Sequence, residues 1–279
     1  MEKILLVNDT DRIDRSAIEF ACYMAKLTHS HVTGVFIENF GKEEVPEMIK
    51  VHGTPVVETI VASDLPDYLT QKTTLQENIT FFKEACERRG VSSSVHQDKG
   101  DPIQELINES RFADLIIIDA TIPAGTKVGS VPSDFVKNVL AESECPVIIA
   151  PLDFGGIEEI LFAYDGSASS VFAIKQFTYL FPELEDKKAT VLQVNKRGDS
   201  DIEQKYNINE LLSPRYSSIG FQVLEGNADY ELFGYLLGKK NIFLVMGAFG
   251  RSTFSTLFKP SNAELILKTI NIPVFIAHR

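Results

Sequence analysis

Residues 242–277, IFLVMGAFGRSTFSTLFKPSNAELILKTINIPVFIA, decide how the rest of the chain is read. An apolar run, Ile242 to Met246, stops at Gly247, and Gly250 follows. A polar stretch leads through Pro260 and Ser261 into a helical pattern with apolar Ala263, Leu265, Ile266 and Ile270. A second apolar run, Val274 to Ala277, completes the unit. The order is strand, glycine-bearing loop, helix, strand. Glycines at 247 and 250 permit positive φ and close approach of backbone. Ser261 stands where a helix begins and is suited to cap it. The free N–H groups and dipole of such a helix start favour an anion, so the segment has the makings of a phosphate cradle.

The same layout occurs 127 residues earlier without a gap. Leu140 falls on Leu267, Pro146 on Pro273, Val147 on Val274 and Ala150 on Ala277. Ala120, Pro123 and Asp134 occupy the places of Gly247, Gly250 and Ser261. The scaffold is expected to repeat, but the cradle is not. Pro123 excludes positive φ, and Asp134 brings negative charge where a phosphate would lie.

The beginnings of the halves also match. Lys3 to Val7 leads into Asp9, and Glu159 to Tyr164 leads into Asp165-Gly166-Ser167. A helical pattern follows each, over about 16–27 and 169–180, and then a strand, His31 to Ile37 and Ala189 to Val194. Alternation of this kind predicts right-handed βαβ units on a parallel sheet with helices on both faces. The repeat offset falls from 156 to 127 along the chain, so the first half carries an excess. It is assigned to about 38–68, a loop or short hairpin, followed by a helix from Leu75 to Arg88 that Gly90 ends. The halves divide as 1–152 and 156–279, with a linker too short to separate them.

The 279 residues carry a net charge of −12, which opposes non-specific binding to nucleic acid or to an anionic membrane. No apolar run approaches the ~20 residues of a membrane-spanning helix. The acidic N-terminus, MEKILLVND, lacks the layout of a secretory signal, so a cytoplasmic location is expected. Cys22, Cys86 and Cys145 are widely spaced and odd in number, and read as buried or free thiols. His29 and His31 read as solvent-facing turn residues.

Taken in order, these features resemble a tandem universal stress protein. The marks are the strands ending in Asp9 and Asp165, the Gly100-Asp101-Pro102 turn, and the final strands that follow Pro146 and Pro273. The strongest is a nucleotide motif of Gly, two residues, Gly, nine residues, then Gly-Ser or Gly-Thr. Gly247, Gly250 and Ser261 keep it, with Pro260 in place of the third glycine. The resemblance implies two open five-stranded parallel sheets of order 3-2-1-4-5, of the adenine-nucleotide-hydrolase-like fold. It implies that Val147 to Ala150 and Val274 to Ala277 pair antiparallel as an internal pseudo-dimer. Further homodimerisation is left open.

It further implies ATP or a related adenine nucleotide in the second half, with Mg²⁺ accompanying it. Asp165 would face the ribose or phosphates, and the Val194 backbone the adenine edge. Met246 leads into the loop in which Gly247 and Gly250 would wrap the phosphates, with Arg251 adding charge. Ser261 and the Asn262 N–H would meet the phosphates at the helix start. Pro260 removes one N–H from that cradle, so the alternative is a nucleotide-free interaction scaffold of the same fold with an unknown protein partner. No P-loop, dinucleotide fingerprint or nucleophile elbow is present, and any catalysis is limited to weak ATPase activity.

Overall fold

The computed structural model describes residues 1–10, 12–37, 44–51, 54–61, 66–97, 101–122, 133–196, 200–247 and 271–277. The first half comprises β1 (Lys3–Asp9), α1 (Arg15–Thr28), β2 (His31–Ile37), β3 (Glu44–Val51), β4 (Thr54–Val61), α2 (Pro66–Arg88) and β5 (Ser93–Gln97). It continues with α3 (Pro102–Ser110), β6 (Leu115–Ile118), α4 (Asp134–Glu142) and β7 (Val147–Ile149). The second half comprises β8 (Glu159–Ala163), α5 (Ala168–Leu180), β9 (Lys188–Asn195), α6 (Lys205–Leu212), β10 (Ile219–Glu225), α7 (Ala228–Leu236), β11 (Ile242–Gly247) and β12 (Val274–Ala277).

Ten of the strands form one sheet in the order β10-β9-β8-β11-β12-β7-β6-β1-β2-β5. Each half therefore has the expected 3-2-1-4-5 order. All pairs are parallel except β12 with β7, where Val274 faces Ile149 and Ile276 faces Val147. The antiparallel junction is the one the resemblance implied. The excess in the first half forms a separate antiparallel hairpin, β3 with β4. α2 begins at Pro66, earlier than the sequence pattern suggested.

Strand residues alternate between the two faces, as a period of two requires. Ile4, Leu6, Leu115 and Ile117 join the layer under α1, α2, α5 and α6. Leu5, Val7, Ile116 and Ile118 join the layer under α3, α4 and α7. Both layers run without a break from one half into the other. Phe177 touches Phe162, Phe181, Phe243 and Phe275, which makes the densest aromatic cluster. Phe154, in the short linker, packs on Phe20 and Tyr23 of α1 at centroid distances of 5.0 and 4.7 Å.

The helices start and stop where local chemistry directs. Asp14 caps α1 by accepting from the Ser16 and Ala17 N–H groups. Asp101 caps α3, with Pro102 in the first turn. His29 closes α1 in a left-handed conformation. His31, in contrast, is not a turn residue: it opens β2, and its ring nitrogens lie 2.9 and 2.8 Å from the hydroxyls of Ser92 and Ser94.

Asp134 corrects a sequence expectation. The cap of α4 is Ser133, whose hydroxyl accepts from the Val136 N–H at 3.2 Å and donates to the Ile122 carbonyl at 2.6 Å. Asp134 is turned to solvent beside Lys137, which pulls its carboxyl below the usual range. A capping serine is therefore present in the first half, one position before Asp134.

Candidate functional site

In each half the sheet order reverses between the first strand and the fourth, and chains that diverge there leave a crevice at the carboxyl ends of the strands. In the second half these strands are β8 and β11. Their pairing ends at Phe162 opposite Val245. Beyond that point β8 turns away through Tyr164, Asp165 and Gly166. An Asp165 carboxylate oxygen accepts the Ser167 N–H at 3.0 Å, and the Ser167 hydroxyl accepts the Ser170 N–H to cap α5. Gly166 takes φ +74° to make the turn. The sequence Asp-Gly-Ser thus serves both as turn and as cap.

Val194 lies on β9 two residues past the end of its pairing with β8, where Ala163 faces Leu192. It stays paired on the other side, opposite Leu224. Because the side of a strand alternates by two, its backbone is directed to the place β8 has vacated. Met246 is different. Its side chain is buried in the apolar layer under α7, which restricts any part in the crevice to its backbone.

Gly247 ends β11 against the start of α5. A Cβ at 247 would stand 2.6 Å from the Ser169 hydroxyl and 2.7 Å from its carbonyl carbon. Glycine is therefore required here by the packing of backbone on backbone. The Ser169 Oγ is buried and has no hydrogen-bond partner among the described residues. Asp165, Val194 and Gly247 lie at or just past the carboxyl ends of β8, β9 and β11, which are neighbours in the sheet. Gly250, Arg251, Ser261 and Asn262, with Lys259 and Pro260, lie outside the described residues.

One further acid enters this place. The segment after β9 is tied back to it: Asn195 donates to the Asp201 carbonyl, and the Glu203 N–H donates to Gln193. Ile202 is buried in the apolar layer and anchors the segment. Glu203 thereby lays its carboxylate against Gly166, where a Cβ would collide with it. Burial pushes the Tyr164 hydroxyl up, and the negative charges of Glu203 and Asp165 add to this. Nothing in the sequence marked Glu203, which is 38 residues from Asp165 and belongs to no motif.

The corresponding crevice of the first half is a cleft lined by Val7, Asn8, Asp9, Arg12, Asp14, Asp119, Thr121 and Ile122. Asp119 accepts from the Thr121 N–H and hydroxyl, both at 2.8 Å. Burial pushes its carboxyl up, the nearby Asp14 opposing ionisation further. Three carboxyl groups face one guanidinium. Among the described residues no cluster of His, Cys, Asp and Glu has the geometry to hold a metal ion, and no helix is long and apolar enough to cross a membrane.

Two adjoining five-stranded units, each of order 3-2-1-4-5 with helices on both faces, define the class: a tandem α/β protein of the adenine-nucleotide-hydrolase-like fold. No family model matches the chain. It is 21% identical, over 98% of its length and 99% of the relative's, to the universal stress protein Slr1230 of Synechocystis. The crystal structure of a universal stress protein from Archaeoglobus fulgidus superposes with a TM-score of 0.65 at 16% identity, covering 99% of this chain and 98% of that one. A functionally unknown protein, PA1789 of Pseudomonas aeruginosa, superposes at 0.57 with 14% identity, covering 100% of this chain and 92% of its own. Within that class the chain is similar, over nearly its whole length, to universal stress proteins.

Proposed function

We propose that this chain is a nucleotide-binding stress-response or signalling protein in which the second half takes ATP or a related adenine nucleotide and the first half does not. The observation that supports this reading is the place of Asp165, Val194 and Gly247 at the carboxyl ends of neighbouring strands about the switch point between β8 and β11. The retained Gly247, Gly250 and Ser261 add the parts of a phosphate cradle, with Arg251 and the Asn262 N–H beside them. The Ser169 hydroxyl, buried next to Gly247 and without a partner among the described residues, also fits a polar ligand, since a buried hydroxyl left unpaired costs about 1–3 kcal/mol that a phosphate oxygen would recover.

Asp165 and Glu203 put two carboxylates near the same place, so the nucleotide is expected to arrive with Mg²⁺, which offsets their repulsion. The bound nucleotide would order the loop that begins at Gly247 and change the surface offered to a protein partner. The division into units 1–152 and 156–279 belongs to this reading. So does a reducing, cytoplasmic setting, with which three free thiols agree. The acid-lined cleft of the first half supports its exclusion, because Asp9, Asp14 and Asp119 outnumber Arg12.

A second reading has its own observation. Glu203 against Gly166 places a negative charge where phosphates would enter, which favours an interaction scaffold without nucleotide. Calorimetric titration of the purified chain with Mg-ATP, after a check for co-purified nucleotide, separates the two. A stoichiometry near one, lost in Gly250→Asp, supports the first reading. Two sites per chain would refute the silent first half, and no binding to nucleotide-free protein would favour the scaffold.

A further inference from the structure

Cys22 lies in the middle of α1 and Cys86 near the end of α2, 64 residues apart in sequence. The fold brings their sulfur atoms to 3.7 Å, and both side chains are buried in the layer the two helices share. A disulfide needs about 2.05 Å between sulfurs, so closure requires only small side-chain rotations in addition to a slight approach of the helices. Cys145, the third thiol, lies in the opposite layer, and burial pushes it up to about 12.

The two thiols of the pair are not equivalent. Cys86 accepts a hydrogen bond from Cys22, with a further bond from Ser93 and the Arg89 guanidinium nearby. These outweigh its burial and hold its pKa below the ordinary thiol value, so that it ionises more readily. Cys22, the donor of the pair, is pushed up. Arg89 is held in place by Glu19 of α1 at 2.7 Å and by the Ala85 carbonyl. The Ser93 hydrogen bond to Cys86 and its 3.7 Å contact with Cys22 suit Cys86 to be the attacking sulfur and Cys22 the resolving one.

We propose that Cys22 and Cys86 form a peroxide-reactive pair that closes into a disulfide and staples α1 to α2. The Cys86 thiolate attacks one oxygen of hydrogen peroxide. The O–O bond breaks, and Cys86 becomes a sulfenic acid while hydroxide leaves. That hydroxide takes a proton, giving water. Cys22 then loses its proton and its sulfur attacks the Cys86 sulfur. The S–S bond forms as the S–O bond breaks, and the displaced hydroxide leaves as a second water with the Cys22 proton. Two thiols supply two electrons, and one peroxide is reduced to two waters. Because both sulfurs are buried, entry of peroxide depends on local opening of the helix pair, which sets a slow rate. The closed form constrains the segment that contains β2 and the β3–β4 hairpin.

The test uses the full chain, reduced with dithiothreitol, desalted and exposed to excess hydrogen peroxide. Intact mass should fall by two hydrogens, and a non-reduced peptide map should contain the Cys22–Cys86 link. Dithiothreitol should reverse both. The apparent melting temperature should rise by roughly 5 °C on closure of so long a loop. Cys145→Ser, which retains the pair, should behave as the unsubstituted chain. Cys22→Ser should stop at a sulfenic acid on Cys86 that dimedone traps. Linkage through Cys145, direct passage of Cys86 to sulfinic acid in the unsubstituted chain, or native thiols left unreacted in both that chain and Cys145→Ser would overturn the proposal.

Discussion

Phe20 of α1 stands edge-on to Phe243 of β11, with ring centroids 6.3 Å apart and planes at 74°. One ring belongs to the first half and the other to the second, and both are fully buried. Phe20 also meets Phe154 of the linker at 5.0 Å. The apolar interior is therefore shared between the halves. Phe20→Ala is expected to cost about 3–5 kcal/mol and to lower the stability of both halves together. Urea unfolding followed by a probe in each half should give coincident transitions that move to lower denaturant together. A shift confined to the first-half probe would count against a common interior.

Gly247→Ala should destabilise the chain by about 1–3 kcal/mol even without nucleotide, because its methyl group meets the backbone of Ser169. Chemical denaturation of nucleotide-free protein measures this. An unchanged midpoint would mean that α5 yields at no cost.

Glu203→Gln should tighten the binding of ATP in the absence of Mg²⁺, by about threefold to tenfold, through removal of one charge beside Asp165. The gain should shrink when Mg²⁺ is present. Titrations with and without the metal supply the comparison. An equal affinity of the two proteins in metal-free buffer would place Glu203 away from the phosphates.

Asp119 gives a pH dependence of definite sign. Burial and then Asp14 raise its carboxyl above the ordinary value of 3.8, so the folded chain favours the protonated form. The stability this contributes is fully present below that value and is lost as pH rises through the folded one. Asp119→Asn mimics the protonated group and should not lose it. The stability of the variant relative to the unsubstituted chain should therefore increase from about pH 4 to about pH 7. A difference independent of pH would contradict the assignment.

Ser133→Ala should lower stability by about 1 kcal/mol, whereas Asp134→Asn should have almost no effect. Thermal unfolding of the two variants distinguishes the cap from its exposed neighbour.

The sequence was most legible where local pattern and tertiary role coincide. Val147 to Ala150 and Val274 to Ala277 are short apolar strands behind prolines, so their equivalence was readable, while their antiparallel pairing came only from the resemblance. The turn at Asp165 was legible because the chemistry of turn and cap is local. The start of α2 was not, since Pro66 reads as loop and residues 70–74, TQKTT, carry no apolar period. Ser133 was missed because it and Asp134 are adjacent and both are good capping residues by type, so sequence alone does not choose between them. Glu203 and the Cys22–Cys86 contact were hidden for a different reason: each depends on a loop or a helix pair returning over many residues.

The antiparallel pairing of β7 with β12 has a consequence for symmetry. Two identical subunits joined this way would carry identical crevices, and any change to one would be a change to both. Here the partners are covalently continuous and separately encoded. One crevice is acidic around Asp119, while the other is bounded by Gly247. The chain is thus an obligate heterodimer in a single polypeptide, with its two unlike faces fixed at a ratio of one to one at any concentration.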